Sequence, residues 1–146
     1  MPCKNNVSNP LEEQKMNTRD YVEANKITIE NEYAPVNPNM DNDGKWQANH
    51  YKVTLRRTGR QLTTYFSMGI ALTDEPSAED VLDCLASDAA GYENAGDFES
   101  WANDYGYDTD SRRAEKTYTT IGRQVTQLKR FLGDDYDKVL FEIERL

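Results

Sequence analysis

The sequence predicts an α+β domain, a three-stranded antiparallel sheet in the N-terminal half followed by about four helices. Three observations carry this expectation. Apolar and polar residues alternate with period two in three runs before residue 69; a short Thr-Gly-Arg turn joins the second and third runs; and after Gly69 the apolar spacing changes to threes and fours.

The first run, residues 25–33, sets Ile27, Ile29 and Asn31 against Lys26, Thr28, Glu30 and Glu32. Residues 34–44 hold two prolines, three asparagines and two aspartates and read as a loop. Residues 46–57 form the second strand and residues 61–68 the third, where Leu62, Thr64, Phe66 and Met68 alternate with Thr63, Tyr65 and Ser67. The turn at Thr58-Gly59-Arg60 makes them an antiparallel hairpin.

Pro76 and Ser77 open the first helix, with Ser77 and Asp80 spaced as a capping box and Val81, Leu82, Leu85 and Ala89 on its apolar face. Residues 91–96, bounded by glycines, are expected to break it. Asp97 caps a short helix with Phe98, Trp101 and Ala102 inward, ending near Gly106. Asp110 or Ser111 caps a long helix to Gly133, along which Ala114, Tyr118, Ile121, Val125, Leu128 and Leu132 form one stripe. Tyr136, Val139, Leu140 and Ile143 mark a last helix over residues 134–145. Residues 1–20 read as a mobile arm with at most a short helical turn, and residues 21–146 as one domain, the usual size for a single core.

No apolar run approaches the roughly 20 residues that span a bilayer, and residues 1–17 lack the apolar centre of a signal peptide. The expected location is cytoplasmic. Cys3 and Cys84 form no CxxC pair and fit that compartment.

The net charge of −9 is concentrated in one place. Residues 70–111 hold twelve acids and no base, while the rest of the chain is close to neutral. The acids are Asp74, Glu75, Glu79, Asp80, Asp83, Asp88, Glu93, Asp97, Glu99, Asp104, Asp108 and Asp110. Helix caps and the macrodipole account for Glu75, Glu79, Asp80, Asp97 and Asp110. The others repel one another without local compensation, so the segment reads either as a solvated face or as a docking surface for a basic groove. Tyr105 and Tyr107, beside Asp104 and Asp108, suit the rim of such a surface, or else pack on the long helix. With so few cations to meet phosphates, no direct binding of nucleic acid is expected.

Other chemistry is sparse. Residues 39–44 partly echo a calcium loop, but His50 stands where its glutamate belongs and a strand follows in place of a helix. Asp104, Asp108 and Asp110 are explained better as turn formers and caps than as ligands of a hard cation. His50, the single histidine, reads as a strand residue, and carboxylates around Cys84 deactivate its thiol. No nucleophile elbow, P-loop or dinucleotide fingerprint is present. Arg56, Arg57 and Arg60 at the hairpin tip, and Arg112, Arg113 and Lys116 on the long helix, read either as contacts for phosphate or, the favoured reading, as an exposed hairpin end and salt-bridge partners of nearby acids. No catalytic residue, metal or cofactor is expected.

The stretches YKVTLRRTGRQLTTYFSMG at 51–69, EPSAEDVLDCLASDAAGYENAGDFESW at 75–101 and YGYDTDSRRAEKTY at 105–118 resemble a family of short acidic proteins of bacteriophages, prophages and plasmids. The resemblance covers more than half the chain and brings no catalytic residues. It implies an inhibitor of host defence, an anti-CRISPR or antirestriction protein, whose partner is a host nucleoprotein complex with a basic groove. Asp74, Glu75, Glu79, Asp83, Asp88, Glu93, Asp97, Glu99, Asp104, Tyr105, Tyr107, Asp108 and Asp110 would then be the partner-binding set, an imitation of DNA's charge. The other expectation is a non-enzymatic accessory module of phage replication or gene control.

Overall fold

A computed structural model describes residues 16–34, 50–67 and 75–145. The calcium-like stretch at 39–44, Cys3 and Asp74 lie outside the described residues, as does the side chain of His50.

The first element is a helix, α1 (Thr18–Ala24), that starts inside the segment expected to be an arm. Asn17 accepts the Asp20 N–H at 2.8 Å while the Asp20 carboxylate accepts the Asn17 N–H at 3.2 Å, a reciprocal cap. The helix buries Thr18, Tyr21 and Val22. The Thr18 N–H also donates to the Glu144 carbonyl at 3.1 Å, and the Glu144 N–H to the Met16 carbonyl at 2.9 Å, which ties the helix to the far end of the chain.

The sheet follows with β1 (Thr28–Tyr33), β2 (His50–Arg57) and β3 (Arg60–Ser67), antiparallel in the order β1-β2-β3. Thr28 pairs with Arg56 and Tyr33 with Tyr51; His50 pairs with Ser67 and Arg57 with Arg60. Thr58-Gly59 closes the β2–β3 hairpin, with Gly59 at φ +73°. Val53, Leu55 and Leu62 bury their side chains on the inner face, as the alternation requires.

Four helices follow the sheet, as the spacing predicts: α2 (Ala78–Ala95), α3 (Phe98–Asp104), α4 (Arg112–Leu132) and, after a 3₁₀ turn at Gly133–Asp135, α5 (Tyr136–Phe141). Ser77, Asp97 and Ser111 cap the first three, each accepting a backbone N–H from the third residue onward. The expected break at residue 91 is absent: α2 runs to Ala95 and ends at Gly96, φ +84°. Gly91 serves a different need. An ideal Cβ there would lie 1.9 Å from the Tyr105 hydroxyl, so the bare Cα lets that ring cross the helix. The final helix is shorter than its apolar spacing suggests because Gly133 takes φ +58° and the chain restarts through the 3₁₀ turn; Ile143 is nonetheless buried.

The stripe on α4 packs against α2 and along β3. Ala114, Ile121, Val125, Leu128 and Leu132 are buried and Tyr118 partly so. β3 is an outer strand of the sheet, and α4 covers its edge: Gln127 Nε2 donates to the Thr63 carbonyl at 3.2 Å and Gln124 Nε2 to Thr64 Oγ1 at 3.0 Å.

The hairpin-tip arginines each find a partner within the chain, Arg56 and Arg60 while still exposed. Arg56 pairs with Glu30. Arg60 Nη1 donates to the Phe131 carbonyl at 3.3 Å, a cation at the C-terminal end of α4. Arg57 lies 5.9 Å from the ring centres of both Tyr21 and Phe131 and donates to Tyr21 Oη and Asn25 Oδ1, each at 3.0 Å. The Tyr21 hydroxyl in turn donates to Asp135 at 2.8 Å. This set joins α1, the hairpin and the α4–α5 turn. Arg57→Ala removes two hydrogen bonds and two cation–π contacts and is expected to lower stability by about 2 kcal/mol in urea unfolding. Arg57→Lys should recover less than half of that loss, because an ammonium cannot replace the planar fork. An Ala variant as stable as the parent would show the set to be idle.

Candidate functional site

The acidic segment folds into α2, α3 and the turn that leads to α4. Each of its described carboxylates, from Glu75 to Asp110, is at least partly exposed. They do not all stand free. Asp80 and Asp97 complete caps, and the backbone and side-chain hydrogen bonds of Ser100 hold the Asp97 carboxyl below the usual carboxylate range. Asp83 accepts the Thr18 hydroxyl at 2.7 Å, which docks α1 on α2. Glu93 accepts the Tyr136 hydroxyl at 2.8 Å and lies 3.6 Å from Lys129 Nζ. Burial first, and Glu93 second, push the Tyr136 phenol well above its ordinary value. Asp108 Oδ1 accepts the Asp110 N–H at 3.0 Å and shapes the turn.

Glu75, Glu79, Asp88, Glu99, Asp104 and Asp110 remain. Among the described residues no salt bridge neutralises any of them. At about 100° per residue, Glu79 and Asp83 lie on the flank of α2 toward α1, Asp88 on the opposite flank, and Glu93 toward α4 and α5. The carboxylates therefore wrap around the helix rather than forming one flat patch, and those nearest α3 are best placed to act together with its own acids.

The two tyrosines separate. Tyr107 stacks on Trp101 with centroids 5.2 Å apart and an interplanar angle of 11°, so it belongs to the aromatic wedge of Tyr92, Phe98, Trp101 and Tyr118. Tyr105 tilts over Trp101 at 5.5 Å and keeps 54% of its surface exposed, so of the pair it alone offers a rim.

Cys84 is an exposed residue, yet partial burial of its thiol, followed by the carboxylates of Asp88 and Asp83, pushes it up to about 11. Asp88 is also exposed, but neighbouring atoms withdraw enough water to raise its carboxyl above the usual range. Among the described residues no three His, Cys, Asp or Glu side chains come together to hold an ion, Asp104, Asp108 and Asp110 included. No described helix is long and apolar enough to cross a membrane.

No protein-family model, curated protein or solved structure matches the chain.

Sequence reasoning missed one feature, the groove between β3 and α4. Arg123 and Arg130 join Arg112 and Lys116 along it, at spacings of four, seven and seven. That spacing is present in the sequence but is overshadowed by the apolar stripe on the other side of the same helix.

Two outcomes follow from the local electrostatics. At pH 8 a thiol at about 11 is only about one part in a thousand thiolate. In a Cys3→Ser background, iodoacetamide should thus modify Cys84 roughly a hundredfold more slowly than an ordinary thiol; modification at the ordinary rate would contradict the assignment. Asp88 has its folded-state pKa above the unfolded one, so its charge opposes folding above both values, and the penalty vanishes below about pH 3.9. Asp88→Asn should raise the melting temperature at pH 7 and leave it unchanged at pH 3. A lower melting temperature at pH 7 would mean that the carboxylate is structural.

Proposed function

We propose that this chain is a phage-type inhibitor of a host defence nucleoprotein complex, an anti-CRISPR protein in the first instance, that occupies a basic nucleic-acid groove with its acidic α2–α3 surface. The observation that carries the reading is the uncompensated charge. Glu75, Glu79, Asp88, Glu99, Asp104 and Asp110 are at least partly exposed without a cation among the described residues, and at Asp88 the local setting disfavours the charge it carries. A surface that carries exposed charge without a described cationic partner fits a partner of opposite sign, which would be steered to it quickly and released by salt. The sequence likeness to phage and plasmid proteins supports the same reading. Such an inhibitor needs no catalytic residue, metal or cofactor, and it acts in the cytoplasm of the bacterial host.

The alternative, an accessory module of phage replication or gene control, draws on the exposed Tyr105 ring. Binding would then depend on Tyr105 more than on salt.

The test is an electrophoretic assay of target DNA binding by purified CRISPR effector and restriction complexes, with and without the protein. The chain is expected to displace DNA from one of them, at least tenfold less well in 500 mM than in 50 mM NaCl. Replacing Asp88, Glu99, Asp104 and Asp110 together with lysine should abolish displacement while the circular dichroism spectrum is retained. Displacement by the quadruple variant equal to that of the parent would sink acidic docking. A partner lost on Tyr105→Ala but retained at high salt would favour the accessory module.

A further inference from the structure

Four of the six cations of α4 lie on the side opposite its buried stripe. At about 100° per residue, Arg112, Lys116, Arg123 and Arg130 fall within roughly 40° of one another around the helix. At a rise of about 1.5 Å per residue, they extend over roughly 27 Å of its axis. Arg112, Arg123 and Arg130 are exposed, and Arg123 Nη2 donates to Thr120 Oγ1 at 3.3 Å. Beside them, α4 and β3 enclose a shallow groove of about 380 Å³ walled by Thr63 and Tyr65; it continues, through Thr120 and Arg123, into a second hollow of about 400 Å³ beside Arg112 and Lys116. Among the described residues, Glu115 is the single acid that lines either hollow.

We propose that the β3–α4 groove binds a phosphodiester chain, a short single strand of nucleic acid. A single phosphate is served by donors that converge on one point; here the cations form a row, with steps of roughly 10 Å from Lys116 to Arg123 and from Arg123 to Arg130, which suits an extended polyanion. A hydroxyl and an amide lie between the cations: Thr119 on the helix and Gln127, whose amide already donates one N–H to the strand edge, offer hydrogen bonds to phosphate and sugar oxygens. Tyr65 adds a ring on the wall against which a base can stack. The expectation against nucleic acid counts charge over the whole chain, whereas this groove is locally cationic and lies on the side of α4 away from its contact with α2. At 0.1 M salt the screening length is about 10 Å, which weakens repulsion from the remote acids more than attraction in the groove. The inference stands independently of the inhibitor reading.

The test is fluorescence anisotropy of a labelled ten-nucleotide oligothymidylate at 50, 100 and 200 mM NaCl. The parent should bind with a dissociation constant between about 10⁻⁴ and 10⁻⁶ M. Arg123→Glu combined with Arg130→Glu should weaken binding at least tenfold and reduce the salt slope by about 1.4. Should that pair fail the circular dichroism check for folding, Arg123→Gln with Arg130→Gln gives the same reading at about half the effect. Glu23→Lys, exposed on α1 and outside both surfaces, should leave the affinity within threefold. The proposal is overturned if the parent shows no binding at 50 mM NaCl or if the double variant binds as the parent does. It is equally overturned if polyglutamate of matched charge competes as well as unlabelled oligonucleotide, since the groove would then take any polyanion.

Discussion

The packing of the α4 apolar stripe against α2 and the β3 edge is the contact on which the remaining architecture depends. Val125 and Leu128 are almost wholly buried in it, and Gln124 and Gln127 beside it close the open side of the sheet. A helix with one buried stripe must turn the opposite stripe to water. This single packing decision therefore separates much of the charge, with the acids of α2 and α3 on the side that α4 packs against and Arg112, Lys116, Arg123 and Arg130 on the side it turns away, while Lys129 reaches back to Glu93. A chain with a net charge of −9 is in consequence two-faced rather than uniformly acidic.

Several carboxylates that look like a ligand-binding surface in the sequence are parts of this framework. Asp83 holds α1, Glu93 holds Tyr136 and Lys129, and Asp80 and Asp97 finish helices. What distinguishes the rest is the lack of any such task. Glu99, in the first turn of α3, and Asp104, at its end, lie on a helix fixed by the stacking of Phe98, Trp101 and Tyr107, so a rigid aromatic wedge presents charges that no described salt bridge takes up. Preorganised charge of this kind favours fast recognition of a cationic partner, because little ordering remains to be done on binding.

Local signals were legible where the cause was local. Thr58-Gly59 between alternating runs marks the hairpin, and Ser77, Asp97 and Ser111 mark three helix starts, because a turn and a cap are settled within a few residues. Gly91 reads as a breaker in the sequence because the Tyr105 ring that crosses it comes from the residue that ends another helix. The start of α1 was hidden for a similar reason: its anchor is Glu144, at the other end of the chain. At the candidate site, the acidic run itself was plain, but nothing in its spacing told Asp83 from Asp88 or Tyr107 from Tyr105. Those distinctions arise from tertiary neighbours. The cationic row was legible in principle, at four, seven and seven, and became meaningful only once β3 supplied the second wall.

The central claim is that Asp88, Glu99, Asp104 and Asp110 carry charge that no salt bridge among the described residues neutralises. Its most direct test is the melting temperature of the protein at pH 7 across a sodium chloride series from about 20 to 500 mM, over which the screening length falls from roughly 20 to 4 Å. The account predicts a melting temperature that rises steadily with salt, and a rise that largely disappears when Asp88, Glu99, Asp104 and Asp110 are replaced together by their amides. A melting temperature that stays flat or falls across the series would mean that these carboxylates are already compensated within the fold.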